Sequence, residues 1–223
     1  LGFSIASILA TFLFGVAVGN CMRGIPVGAD KEFVGSLLDL LNPYSIVIGI
    51  LAVATFAMHG SIYLYLKLEG ELRERLHRVM WHTFGCFVVS YIFATIYTLV
   101  DVPRAVHNFS QYPWLWSIVV INVLAIANIP RAIFLAKPGY AFLSSSVTLI
   151  AFTALFGAAL FPNLITSSIA AEYSLTIFNS SSSQKTLQIM KTIAFCGMPF
   201  VLSYTAIIYW VFRGKVKLGK FSY

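Results

Sequence analysis

The stretch FAMHGSIYLYLKLEGELRERLHR, residues 56–78, changes character part-way along. Up to Leu66 it is mostly apolar, with one histidine, His59. From Lys67 to Arg78 acids and bases follow one another. The apolar part continues a run that opens at Pro43, and a run of about 20 apolar residues is what a helix needs to cross a hydrocarbon core about 30 Å thick. Residues 56–78 therefore read as a membrane-spanning helix leaving the bilayer into a charged extension, and this decides the fold.

Runs of similar length recur on both sides. Six spans follow, at about 1–20, 43–66, 79–100, 114–135, 140–161 and 186–212. Of the 223 residues 59% are hydrophobic and 10% charged, with a mean hydropathy of +0.84, which is too apolar for a soluble domain. Backbone groups in lipid must bond within their own segment, so each span is a helix. The expected fold is all-α: a polytopic helical membrane protein, one transmembrane domain over residues 1–223, with no soluble domain.

The net charge of +7 and pI near 9.4 do not point to nucleic acid, because the basic residues fall in short segments between spans and form no single patch. Lys67, Arg73, Arg75 and Arg78 follow the second span, Arg131 and Lys137 flank the turn after the fourth, and Arg213, Lys215, Lys217 and Lys220 follow the sixth. The alternate side holds Arg23, Lys31, Arg104, Lys185 and Lys191. The richer side is expected in the cytoplasm, placing Leu1 and the C-terminal tail there.

Local signals agree with these boundaries. Asn42-Pro43 reads as an N-cap followed by a first-turn proline. YPWLW (112–116) puts amphipathic rings where a span meets the interface. NIPRAIFLAKPGYAF (128–142) contains a tight turn at Pro138 and Gly139, and a serine near 182 or 183 in NSSSSQKTL (179–187) is placed to cap the last helix. The first span begins at Leu1 without an initiator methionine, a charged leader or a cleavage pattern. It is not a signal peptide, and the true beginning of the protein is expected upstream. On that expectation Gly2, Gly15 and Gly19 offer small faces to neighbours outside these six spans.

The polar residues within this frame divide into functional and structural readings. An ionisable group in mid-span, such as His59, is a functional candidate by default. No other histidine lies at its depth, since His77 and His82 sit at the start of the third span and His107 in a connection; a packed, hydrogen-bonded His59 is favoured over a haem or metal ligand. Asn42 is a structural candidate as a cap. Glu69 is one through the spacings 69 to 73, 71 to 75 and 74 to 78, which set an acid four residues before a base along a solvated helical extension. Asp101 and Glu172 lie near the opposite edge, and Lys191 has a stem long enough to snorkel. Cys21, Cys86 and Cys196 are too scattered for a disulfide framework or zinc site and read as small packing residues. HExxH, GxSxG, Walker and GxGxxG patterns are absent. A solute transporter or channel stays open as an alternative, with Asn122, Asn128, Thr148 and Thr153 lining a path; a membrane-embedded transferase lacks an acid or histidine cluster at one depth.

Four segments in order, GVAVGNCMRGIPV (15–27), LLNPYSIVIGILAV (40–53), HGSIYLYLKLEGEL (59–72) and FPNLITSSIAAEYSLTIFNSSSSQKTLQIM (161–190), make the chain resemble subunit II of the cytochrome bd quinol oxidases, including the cyanide-insensitive branch. The resemblance implies two four-helix bundles and one further helix, of which this chain holds the last helix of the first bundle, all of the second and the extra helix, with about three helices preceding Leu1. It implies an oxidase that oxidises quinol, reduces dioxygen to water and contributes to a proton gradient. Haems b and d belong to the partner, subunit I, which forms a heterodimer with subunit II; a small accessory subunit and a structural quinone occur in some members. The implied location is the cytoplasmic membrane of a bacterium or archaeon, among membrane lipid. No catalytic or metal-ligating residue is then expected in this chain, and His59 is a hydrogen-bonding residue of the second bundle.

Overall fold

The computed structural model describes residues 2–215, so Leu1, Lys217, Lys220 and Tyr223 lie outside the described residues. Seven α-helices follow one another among them: α1 (Gly2–Arg23), α2 (Pro43–Lys67), α3 (Gly70–Asp101), α4 (His107–Gln111), α5 (Trp116–Phe134), α6 (Pro138–Leu160) and α7 (Gln184–Val211). All but the short α4 belong to segments long and apolar enough to cross a membrane. Two short strands, β1 (Asn163–Ile165) and β2 (Leu175–Thr176), pair antiparallel in the connection between α6 and α7. The serine-rich stretch is thus only the last part of a folded connection.

Asn42 caps α2, its Oδ1 accepting from the Ser45 amide at 3.0 Å, and Pro43 occupies the first turn where its missing N–H leaves no bond unmade. Ser183 caps α7 in the same manner. The third helix differs from its expected start at residue 79. It begins at Gly70, because the charged ribbon is itself helical and continues unbroken into the apolar span.

Helices α2, α3, α5 and α6 share one core. Met58, Ile62, Tyr65, Met80, Phe87 and Ile129 are buried in it together with Ala132, Ile133 and Ala141. On α3 the rings of Trp81, Phe84, Phe87 and Tyr91 recur every three or four residues, the spacing that keeps side chains on one helix face. Phe152 of α6 meets Phe87 and Tyr91 at 6.2 and 5.6 Å between centroids.

Helix α1 packs on α2 through small residues. A Cβ on Gly15 would stand 2.7 Å from Gly49 Cα and Ala52 Cβ, and one on Gly19 would stand 2.7 Å from Ser45 Cα. This corrects the expectation that Gly15 and Gly19 await outside helices. Both already meet α2, and of the three glycines of α1's small faces only Gly2 has nothing within 4 Å. Helix α7 buries none of its residues against the rest of the described chain. Its far end is tied by Lys67 Nζ donating to Phe212 O at 2.8 Å and by Lys215 meeting Glu69 at 2.7 Å.

The α5–α6 turn is a Schellman motif. Lys137 N donates to Ala132 O and Ala136 N to Ile133 O, with Ala136 at φ +53° where glycine is usual. This turn, the α2–α3 turn and the end of α7 lie at one end of the molecule, because Tyr65 and Met80 share the core with Ile133 and Ala141. At the opposite end the three long connections interlock. Ile25 bridges to Ser167, Arg104 donates to Met22 O, and Asn108 donates to the carbonyls of Ala158 and Phe161. Burial lowers the Arg104 guanidinium from its usual value, opposed by the nearby Tyr44.

Candidate functional site

Side-chain hydrogen bonds join each neighbouring pair of helices in the four-helix core. Between α2 and α3, Ser61 Oγ and Thr83 Oγ1 lie 2.9 Å apart, and Tyr44 OH and Thr98 Oγ1 3.1 Å. Asn122 Nδ2 of α5 donates to Tyr91 OH of α3 at 3.5 Å. Asn128 Nδ2 donates to Ser144 Oγ at 2.8 Å between α5 and α6. His59 Nδ1 and Ser145 Oγ, 2.9 Å apart, close the circuit between α2 and α6. Lipid tails are as apolar as leucine, so packing and contacts of this kind hold spanning helices together, at about 0.6 kcal/mol for an average interhelical hydrogen bond.

His59 is half-buried, and its ring lies 5.1 Å from that of Phe142, tilted by 30°. The Ser145 hydroxyl also reaches Phe142 O at 2.9 Å. One hydroxyl proton serves one of these two acceptors; given to the carbonyl, it leaves Oγ to accept from Nδ1–H. The other histidines are held elsewhere: His77 against the Tyr65 and Trp81 rings, His82 on Arg78 O, and His107 on Gln111. None of them stands opposite His59 as a second axial ligand, and among the described residues no three His, Cys, Asp or Glu converge on a point.

Asn42 does more than cap. Its Nδ2 donates to Asn20 Oδ1 at 2.9 Å, and Asn20 Nδ2 donates to Leu40 O at 2.7 Å and Val16 O at 2.9 Å. The two amides bolt the end of α1 to the start of α2 beside the Gly19–Ser45 contact. Asn20 carries no sequence signal beyond being an amide at the end of an apolar run. Glu69 precedes α3 at its N-cap position and meets Lys215. The expected 69 to 73 pair gives way to this arrangement, because α3 starts after Glu69 and Arg73 turns onto the Tyr65 ring, 4.6 Å from its centroid. The 71 to 75 pair forms at 2.6 Å. At the other end Arg23 Nε meets Asp101 Oδ2 at 3.2 Å, joining α1 to the end of α3.

The residues expected to line a transport path are otherwise engaged. Thr148 and Thr153 donate to carbonyls of their own helix, Asn128 is bonded to Ser144, and Asn122 is fully buried in the core. Cys86 and Cys196 lie exposed on the described chain, and Cys21 is half-buried. Cys86 borders an apolar groove of about 960 Å³ lined by α1, α2 and α3, at which His59 does not stand.

The family profile described as cytochrome bd terminal oxidase subunit II matches residues 1–212. The chain belongs to this family. It is similar to cytochrome bd-I ubiquinol oxidase subunit 2 of Escherichia coli K12, 27% identical over 245 residues covering 96% of this chain and 65% of that protein. Cytochrome bd ubiquinol oxidase subunit 2 of Bacillus subtilis is 28% identical over 211 residues, covering 94% of this chain and 61% of the relative. The probable cytochrome oxidase subunit 2 of Haemophilus influenzae is 24% identical over 247 residues, covering 96% of this chain and 65% of that protein. The chain thus spans less than two thirds of the length of the relatives it matches. Family membership accounts for the six spans and leaves the transporter alternative without support.

Proposed function

We propose that this chain is the subunit II part of a cytochrome bd-type terminal oxidase, in which the assembly oxidises quinol, reduces dioxygen to water and contributes to a proton gradient. The observation that carries this reading is the family match over residues 1–212, nearly the whole chain. The chemistry resides in a partner subunit I bearing haems b and d. In this reading the chain contributes shape and packing, with His59 joining α2 to α6 through Ser145. In this reading α1 closes a first bundle, α2, α3, α5 and α6 form the second, and α7 is the additional helix. His59, Asn42 and Glu69 are structural polar residues: the first joins two helices of the bundle, the second bolts α1 to α2, and the third ties α3 to the end of α7. A structural quinone bound by this subunit and a small accessory subunit are further features of the family that the reading admits.

The end of the molecule carrying Lys67, Arg73, Lys137 and Lys215 faces the cytoplasm by the excess of basic residues. The test is affinity purification from native membranes through a tag on this chain. Haem-containing material with quinol-dependent oxygen uptake is the expected product; a pure preparation free of both would reject the reading.

A further inference from the structure

Where α2 hands over to α3, a pocket of about 440 Å³ is lined by Tyr65, Gly70, Arg73, Glu74 and His77, within the size range of roughly 300–1,000 Å³ usual for small-ligand sites. Its depth follows from the helix geometry. The apolar part of α3 begins at Val79, and the turns from Gly70 to Arg78 rise about 13 Å above it at 1.5 Å per residue. They occupy the headgroup layer, whichever side of the membrane this end faces. Leu64 and Val79, exposed where the apolar part of α2 ends and that of α3 begins, offer apolar surface to acyl chains.

The charges in the pocket are complementary to one kind of headgroup. Three neighbouring bases are engaged, Arg75 with Glu71, Lys215 with Glu69, and Lys67 with Phe212 O, while Arg78 is exposed one turn after Glu74. Arg73 instead lies on the Tyr65 ring, and its Nε is buried with no hydrogen-bond partner among the described residues. With Nε shielded against the ring, the planar guanidinium has its terminal N–H groups left for a phosphate. Tyr65, itself buried, also holds His77 at 5.8 Å between centroids, so the wall beneath Arg73 is fixed. Glu74 is exposed in the same pocket and would repel a purely anionic ligand, whereas it suits an ammonium. We propose that this pocket binds the phosphoethanolamine headgroup of a membrane lipid, with the phosphate on Arg73 and the ammonium on Glu74.

The protein, purified in detergent with the subunits that accompany it, is offered tail-labelled phosphatidylethanolamine, phosphatidylglycerol and phosphatidylcholine, and retention is measured. Wild type is expected to retain phosphatidylethanolamine at least about fivefold better than the other two, the scale of one charge-assisted contact. Arg73→Gln should abolish that excess, and Glu74→Gln should remove the preference over phosphatidylglycerol while leaving phosphate binding. Arg75→Gln, outside the pocket, should change nothing. Soluble phosphoethanolamine should compete only weakly; displacement of the lipid at equal concentration would assign the site to a free phosphorylated amine and overturn the proposal. Equal retention of the three lipids by wild type would also overturn it. So would unchanged selectivity in Glu74→Gln, an exposed position where the fold is not at risk.

Discussion

His59 and Asn122 lie in the same helical core yet differ in how well their hydrogen-bonding groups are met. His59 has a 2.9 Å contact with Ser145. Asn122 is fully buried with a long hydrogen bond of 3.5 Å to Tyr91, and its Oδ1 has no partner among the described residues. An unmet buried polar atom is worth about 1–3 kcal/mol against the fold. Asn122→Leu is therefore expected to be neutral or to stabilise by up to about 1 kcal/mol, while His59→Leu destabilises by about 1 kcal/mol through the lost interhelical bond. Unfolding of both variants in mixed detergent micelles checks this; a larger loss for Asn122→Leu than for His59→Leu would contradict it. The sequence singled out His59 as a mid-span ionisable group. It could not show Ser145 as the partner, because the two residues are 86 positions apart and serine is common in spanning helices.

At the scale of elements, boundaries with a local chemical signal were legible and those set by tertiary contact were not. Asn42-Pro43 and the serines before α7 announce their caps. The Glu69–Arg73 spacing misled, because Glu69 stands just before α3 and meets Lys215 while Arg73 lies on the Tyr65 ring. Gly15 and Gly19 were recognisable as small faces, but their partner on α2 depends on how the helices cross. Gly19→Leu should force a side chain into Ser45 Cα, destabilising by about 1–3 kcal/mol and weakening protection of α1 in hydrogen exchange; unchanged protection would argue against close α1–α2 packing. Ala136 adopts a left-handed conformation that disfavours a Cβ by about 1–2 kcal/mol. Ala136→Gly should raise stability by about 1 kcal/mol. A loss measured in thermal unfolding would mean that the Schellman turn is not formed.

For the whole molecule, hydropathy made the six spans legible, and the resemblance implied a four-helix bundle of the kind that α2, α3, α5 and α6 form around one core. The interlocked connections were not legible: Ile25 and Ser167, paired across the folded end, belong to segments with no shared pattern. The proposed orientation puts this end outside. In a variant lacking Cys21, Cys86 and Cys196, a cysteine at exposed Ser181 should react with an impermeant reagent on intact cells. Reaction only after permeabilisation would invert the topology.

The central proposal is an oxidase subunit that supplies packing while its partner holds the haems. All four histidines of this chain, His59, His77, His82 and His107, can be replaced by glutamine, and the absorption spectrum of the complex purified through this subunit recorded. The haem bands and haem-to-protein ratio should match those of the wild-type complex. Loss of any one band from a complex that still assembles would place a haem ligand in this chain and contradict the proposal.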